Sequence, residues 1–122
     1  MAPLEEGIVA ALLDGLLEGV LAVAPDGRIG LVNGAMAQLL GARQDDLLGR
    51  RPVDLEAAGT WLPPVLRRCL ETRERQALIQ ERAGRRLALT AEPLPEGWVL
   101  ATARDITELD RLQRQVERMA QD

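Results

Sequence analysis

The residues after Arg104 differ in periodicity from those before them. In the run 107–122, four apolar residues follow one another at spacings of 3, 4 and 3, without a Gly or Pro. That spacing is the a/d pattern of a coiled coil. The earlier residues form short apolar runs between turn residues, which is typical of strands and small helices. We predict a coiled-coil helix over 107–122 after a compact core of residues 19–106. The predicted seam consists of Leu109, Leu112, Val116 and Met119.

The first 18 residues carry a broad apolar stripe at helical spacing. The pattern predicts an amphipathic helix over 1–18 whose apolar face is wider than docking on a small domain requires. We therefore expect this helix both to dock on the core and to meet a partner. The predicted interface residues are Leu4, Ile8, Leu12 and Leu16.

Several residue types that carry chemistry are absent from the chain. It has no His, Lys, Ser, Tyr or Phe and a single Cys. A Ser–His triad, a Schiff base, a zinc cluster and an intrachain disulfide are therefore all excluded. We predict no catalytic constellation, no metal site and no enzymatic activity of this segment. The exclusive use of Arg for positive charge, with abundant Ala and Leu, indicates a GC-rich bacterial source.

The charge and hydropathy of the chain limit its partners. The net charge is −4 and the pI is about 4.9, which argues against nucleic acid. The basic pairs, Arg85-Arg86 among them, have acidic neighbours, and we interpret them as solvated faces. No apolar run approaches a bilayer span, and the start of the chain is acidic rather than basic. We predict a cytoplasmic segment that does not contact a membrane.

The sequence of the core predicts two strands, then several short helices, then three more strands. Pro25-Asp26-Gly27-Arg28 separates the first two strands as a hairpin turn, and Thr60 is a predicted helix N-cap. The predicted strands cover 20–24, 29–32, 77–81, 87–92 and 98–103. The predicted helices cover 35–40, 44–48, 52–58 and about 63–73.

Three motifs accompany these elements: the Pro25-Asp26-Gly27-Arg28 turn, Val32-Asn33 and the closing segment from Leu94-Pro95 to Arg104-Asp105-Ile106-Thr107. Together with the order of the elements, they resemble the PAS sensory domain over about residues 7–107. The resemblance implies an α+β fold with a five-stranded antiparallel sheet of order 2-1-5-4-3 and short helices over one face around a pocket. It also implies a homodimer that signals through its C-terminal helix to an output domain in the same polypeptide.

The run 109–119 is similar to the linker that precedes the dimerisation helices of bacterial sensor histidine kinases. Similar linkers also precede activator ATPases, other transcription regulators and diguanylate cyclases. We favour the histidine kinase of a two-component system as the output. The others remain alternatives.

Asp105 and Thr107 stand where the sheet is predicted to meet the coiled coil. The Thr107 hydroxyl can cap the helix, with Asp110 completing a capping box, and Asp105 can bind the first helical amides. Together they would set the angle between sheet and coil, and we predict that they relay the signal. The alternative is that they are ordinary caps with no part in signalling.

The resemblance raises the question of a cofactor, because PAS domains bind haem, flavins, small carboxylates or nothing. The absence of His argues against haem, and the absence of a thiol in the stretch 49–53 argues against a flavin photosensor. We predict no cofactor and keep a small apolar ligand as the alternative signal. The candidate pocket residues are Trp61, Leu66, Cys69 and Trp98. The competing interpretation is that Cys69 and both Trp side chains are packed in the core. The sequence does not decide between an open and a filled cavity.

Overall fold

The structure is a computed structural model that describes residues 18–121, with side chains to residue 120. Apart from Glu18, the predicted N-terminal helix over 1–18 lies outside these residues. The predicted interface residues of that helix therefore stay predictions; they are Leu4, Ile8, Leu12 and Leu16.

Five antiparallel strands form one sheet in the order β2-β1-β5-β4-β3, which confirms the predicted topology. The central strand β5 pairs with β1 on one side and with β4 on the other. The strands are β1 (Gly19–Val23), β2 (Ile29–Val32), β3 (Gln76–Arg82), β4 (Arg85–Pro93) and β5 (Val99–Asp105).

Five α-helices complete the described residues, and a short 3₁₀ turn, Pro95–Gly97, precedes β5. The helices are α1 (Gly34–Leu40), α2 (Gln44–Leu47), α3 (Pro52–Ala57), α4 (Pro64–Thr72) and α5 (Thr107–Gln121). The prediction of Thr60 as an N-cap was wrong, because α4 begins at Pro64 after Pro63. Proline at the first helical position needs no amide partner, so the helix starts there without a side-chain cap.

The core lies between one face of the sheet and the helices. Alternation along each strand turns every second side chain toward the helices, and in β5 these are Val99, Ala101 and Ala103. Helix α4 packs across β3, β4 and β5, whereas α1 packs on β1. Small side chains on β5 leave room for the larger ones that the helices contribute. These include Met36, Leu47 and Leu66, each at most 1% exposed.

Asn33 joins β1, β2 and α1 at one buried point. Its Oδ1 accepts hydrogen bonds from the amides of Val20, at 2.9 Å, and Met36, at 3.0 Å. Its Nδ2 donates to the Glu18 carbonyl at 2.8 Å. Asn33 is thus the N-cap of α1 and also satisfies a backbone amide of a central strand.

Candidate functional site

The end of β5 lies beside the start of β4, and α5 leaves the sheet from that point. The register pairs Leu87 with Asp105, so the hairpin between β3 and β4 stands next to the first turn of α5. That hairpin turns at Ala83 and Gly84, both with positive φ, of 52° and 76°. We call this meeting point of hairpin, β5 and α5 the junction and define it by Arg85, Arg86, Asp105, Thr107 and Asp110.

Thr107 binds β4 rather than capping its own helix. Its Oγ1 accepts a hydrogen bond from the Arg86 amide at 2.8 Å and donates one to Asp105 Oδ1 at 2.6 Å. The Arg86 carbonyl in turn accepts from the Ile106 amide at 2.8 Å. The expected capping box therefore does not form, because the hydroxyl is engaged by a strand that begins 22 residues before Thr107 in the chain. Helix α5 is tied through both backbone groups of Arg86 to the sheet.

Asp105 holds the turn between β5 and α5 in place. Its Oδ1 accepts from the Thr107 amide at 2.9 Å, and its Oδ2 accepts from Arg85 Nε at 2.8 Å. The bonds from the Thr107 hydroxyl and amide, together with the Arg85 charge, hold the pKa of the Asp105 carboxyl below its usual value. The expected contact of Asp105 with the first helical amides is thus observed for one amide, that of Thr107.

Asp110 makes ion pairs instead of the return bond of a capping box. Its Oδ1 lies 3.4 Å from Arg86 Nε, at ion-pair distance but without hydrogen-bond geometry, and its Oδ2 lies 3.2 Å from Arg114 Nε. Arg86 also pairs with Glu81 on β3, at 3.3 Å. One arginine therefore connects the hairpin with the first turn of α5.

The contribution of Arg85 and Arg86 is the part of the site that the sequence analysis missed, since it assigned this pair to a solvated face. The predicted strand order already indicated that this pair lies near Asp105. In a sheet of order 2-1-5-4-3 the start of β4 must lie beside the end of β5, which places the residues just after the Ala83-Gly84 turn next to Asp105.

The four predicted seam residues form a continuous apolar stripe along α5. Leu109, Leu112, Val116 and Met119 are between 51% and 69% exposed. Asp110 faces the hairpin, as its ion pair with Arg86 shows, and Arg114 pairs with Asp110 on the same side of α5. The junction therefore holds one side of α5 against the sheet and leaves its apolar side uncovered within the described residues.

Comparisons with known proteins identify this architecture. A sequence model of the PAS fold matches residues 13–111, which is most of the chain. The chain belongs to the PAS fold family. A search of curated proteins finds no match.

Solved PAS structures share the fold at low sequence identity. The PAS domain of BvgS from Bordetella pertussis is 20% identical, with a TM-score of 0.62 over 99% of this chain and 98% of that one. Histidine kinase ThkA, in complex with response regulator TrrA, is 24% identical with a TM-score of 0.66. That match covers 91% of this chain and 35% of the kinase chain. Identities this low show the fold alone.

The structure does not bring the four candidate pocket residues of this PAS domain together. Trp61 packs against the core with its ring 4.1 Å from the Arg82 guanidinium, on the helix side of the sheet. Trp98 lies on the opposite side, because a Cβ added to Gly30 would stand 2.9 Å from its ring and its neighbour Val99 faces the core. The prediction of a single pocket lined by both Trp side chains is therefore wrong.

Leu66 and Cys69 are part of the packed interior of the PAS domain. Both are at most 1% exposed and belong to the central apolar cluster. Burial raises the pKa of the Cys69 thiol, although the nearby Arg73 opposes the shift. A protonated, buried thiol of this kind behaves as a small apolar side chain.

PAS domains are generally sensory modules without catalysis of their own, and this chain is a PAS sensory domain. Between residues 18 and 121, no helix is long and apolar enough to cross a bilayer. In the same part of the chain, no three His, Cys, Asp or Glu side chains gather as metal ligands would.

Proposed function

We propose that this PAS domain forms a homodimer through α5 and transmits a signal along that helix to an output domain in the same polypeptide. The observation that carries the proposal is the attachment of α5 to β4 through Thr107 and Arg86. A helix bonded in this way cannot change its angle without breaking bonds to the sheet. Displacement of β4 or β5 therefore moves the start of the helix.

The stripe of Leu109, Leu112, Val116 and Met119 supports the dimer part of the proposal. Its residues are exposed in a single chain and have the a/d spacing of a coiled coil. A dimer that buries them places the two junctions on the outer sides of the coiled coil. Each junction can then turn its own helix relative to the partner.

A histidine kinase is the output that we favour. The similarity in fold to the PAS domain of histidine kinase ThkA supports this choice. Activator ATPases, other transcription regulators and diguanylate cyclases are the alternatives, since the same kind of linker precedes them. We expect no haem, flavin or metal, and we place the protein in the cytoplasm, without nucleic acid as a partner.

The second candidate is a receptor for a small apolar ligand. The interior does not favour it, because the central side chains Met36, Leu66 and Cys69 are each at most 1% exposed. A ligand would have to displace packed side chains, whereas a change at the junction or the dimer interface needs no such cavity.

Substitution of the junction tests the relay in the full-length protein. We expect Thr107→Val and Asp105→Ala each to change the basal output activity at least about twofold, because each removes bonds that fix the angle of α5. Thr60→Val makes the same chemical change as Thr107→Val at a position where the described residues show no hydroxyl bond, and it should leave output unaltered. If circular dichroism shows a folded protein and output matches the wild type for both junction variants, Asp105 and Thr107 are simple structural caps.

A further inference from the structure

We propose that the groove between the β3–β4 hairpin and α5 binds a small soluble anion with two adjacent phosphates, such as pyrophosphate or a pyrophosphate-bearing metabolite. This site requires neither the dimer nor the relay proposed above. The groove has a volume of about 620 Å³, within the range of small-molecule sites. It is open along one side, so that a ligand can enter without unfolding of the junction.

Arginine side chains are concentrated in this groove. Five arginines and three carboxylates line it, on a chain whose net charge is −4. Two of these arginines, Arg85 and Arg111, also pair with Asp105 and Glu108 outside the lining. Like charges collected in a concave surface raise the local concentration of counter-ions. The arginines are Arg85, Arg86, Arg111, Arg114 and Arg118.

Arginines stand on both walls of the groove. Arg111, Arg114 and Arg118 recur at helical spacing on one face of α5, and Arg85 and Arg86 stand on the hairpin opposite. A guanidinium binds two phosphate oxygens at once in its planar fork, and it remains charged at any physiological pH. Because guanidinium groups stand on two walls, we expect the groove to bind an anion with two phosphates rather than one.

The ion pairs inside the groove leave these arginines able to change partners. Arg114 pairs with Asp110 at 3.2 Å, yet its side chain is 63% exposed. Exposed ion pairs of this kind contribute little to stability, so a doubly charged phosphate can replace the carboxylate as the partner. Arg118 has no ion pair with the residues that the structure describes, and Arg86 is held in the wall by Glu81 and Asp110.

The groove stays accessible in the proposed dimer. At 100° per residue, Arg111, Arg114 and Arg118 lie on the side of α5 away from Leu112 and Val116. Burial of the apolar seam therefore does not cover the arginine face. A ligand in the groove would contact the hairpin and α5 at once and would hold them together.

Binding can be measured by the thermal unfolding of the protein with sodium pyrophosphate at low ionic strength. We expect the midpoint temperature to rise with pyrophosphate concentration, because a ligand that binds only the folded state stabilises it. Sodium chloride at the same ionic strength should give no comparable rise. Isothermal titration calorimetry then gives the dissociation constant.

Two variants with opposite effects locate the site. We expect Arg114→Ala with Arg118→Ala to weaken pyrophosphate binding about tenfold or more, and Glu117→Gln to strengthen it, since Glu117 is one of the three carboxylates of the groove. Arg50→Ala with Arg75→Ala makes the same change in net charge at exposed positions elsewhere and should bind like the wild type. The proposal is overturned if chloride stabilises as well as pyrophosphate does, or if the control pair loses as much affinity as the groove pair.

Discussion

We expect replacement of Asn33 by alanine to lower the free energy of unfolding by about 2–4 kcal/mol, since it removes an N-cap and leaves buried amides unpaired. The amides concerned belong to Val20 and Met36, which donate to Asn33 Oδ1 at 2.9 and 3.0 Å. The Glu18 carbonyl loses its donor as well. Asn33 is 1% exposed, so water cannot easily take the place of these bonds.

Urea unfolding followed by circular dichroism measures this effect. We expect the midpoint of Asn33→Ala to fall while the dependence on urea concentration stays the same. Gln38→Ala removes an amide side chain from the exposed side of the same helix and should change the stability by no more than about 0.5 kcal/mol. Equal stabilities for the two variants would show that Asn33 does not hold β1 and α1 together.

Introduction of charge into the apolar seam of α5 should convert the proposed dimer to a monomer. Four apolar side chains lose their burial in a dimer that carries Leu112→Glu and Val116→Glu, and each contributes about 1.5–3 kcal/mol when fully buried. The glutamates also repel one another across the seam. We expect the dissociation constant to rise at least about a hundredfold, which sedimentation equilibrium can measure.

The matched control changes the other side of the same helix. Arg114→Gln with Arg118→Gln alters the net charge by the same two units as the seam variant but leaves the seam residues intact, so that the dimer should persist. Both variants should retain the folded core, because α5 contacts the sheet chiefly through β4. A wild-type protein that is monomeric at high micromolar concentration, or a seam variant that still dimerises, would contradict the proposed dimer.

Local sequence signals were sufficient to predict the strands and most of the helices, whereas the strand order came from the resemblance to PAS domains. The turn at Asp26 and Gly27 and the break at Asn33-Gly34 each depend on residues that are close in the chain. The first turn forms as expected, with the Asp26 carboxylate accepting from the Arg28 amide at 3.0 Å and Gly27 at a φ of 87°. Short-range chemistry of this kind is visible in a sequence because the interacting groups are neighbours.

The partners of Thr107 could not be predicted in the same way. A Thr followed three residues later by an Asp favours a capping box, but the Arg86 amide competes for the hydroxyl from a distance of 21 residues in the chain. That amide is available because it lies at the start of β4, beside the end of β5. Tertiary pairing thus prevails over the local preference, and only the strand order indicates it.

The two Trp side chains show another limit of the sequence pattern. Both are large and apolar in part, and the resemblance to a pocket-bearing family suggested that they shared a cavity. Trp98 directly precedes the buried Val99, and the alternation of a strand therefore turns it to the opposite face. The ring of Trp98 lies close to Gly30 on β2, which agrees with this orientation.

Hydrogen exchange of the α5 amides tests most directly whether the sheet and the coiled coil are coupled. The comparison is between the wild type, Thr107→Val and the control Thr60→Val, with mass spectrometry of peptides from β4 and from residues 107–121. We predict faster exchange in the first two turns of α5 and at the Arg86 amide for Thr107→Val alone, while the rest of the sheet exchanges as in the wild type. Unchanged exchange in α5 would show that the bond between Thr107 and β4 does not hold the helix on the sheet, and it would contradict the account.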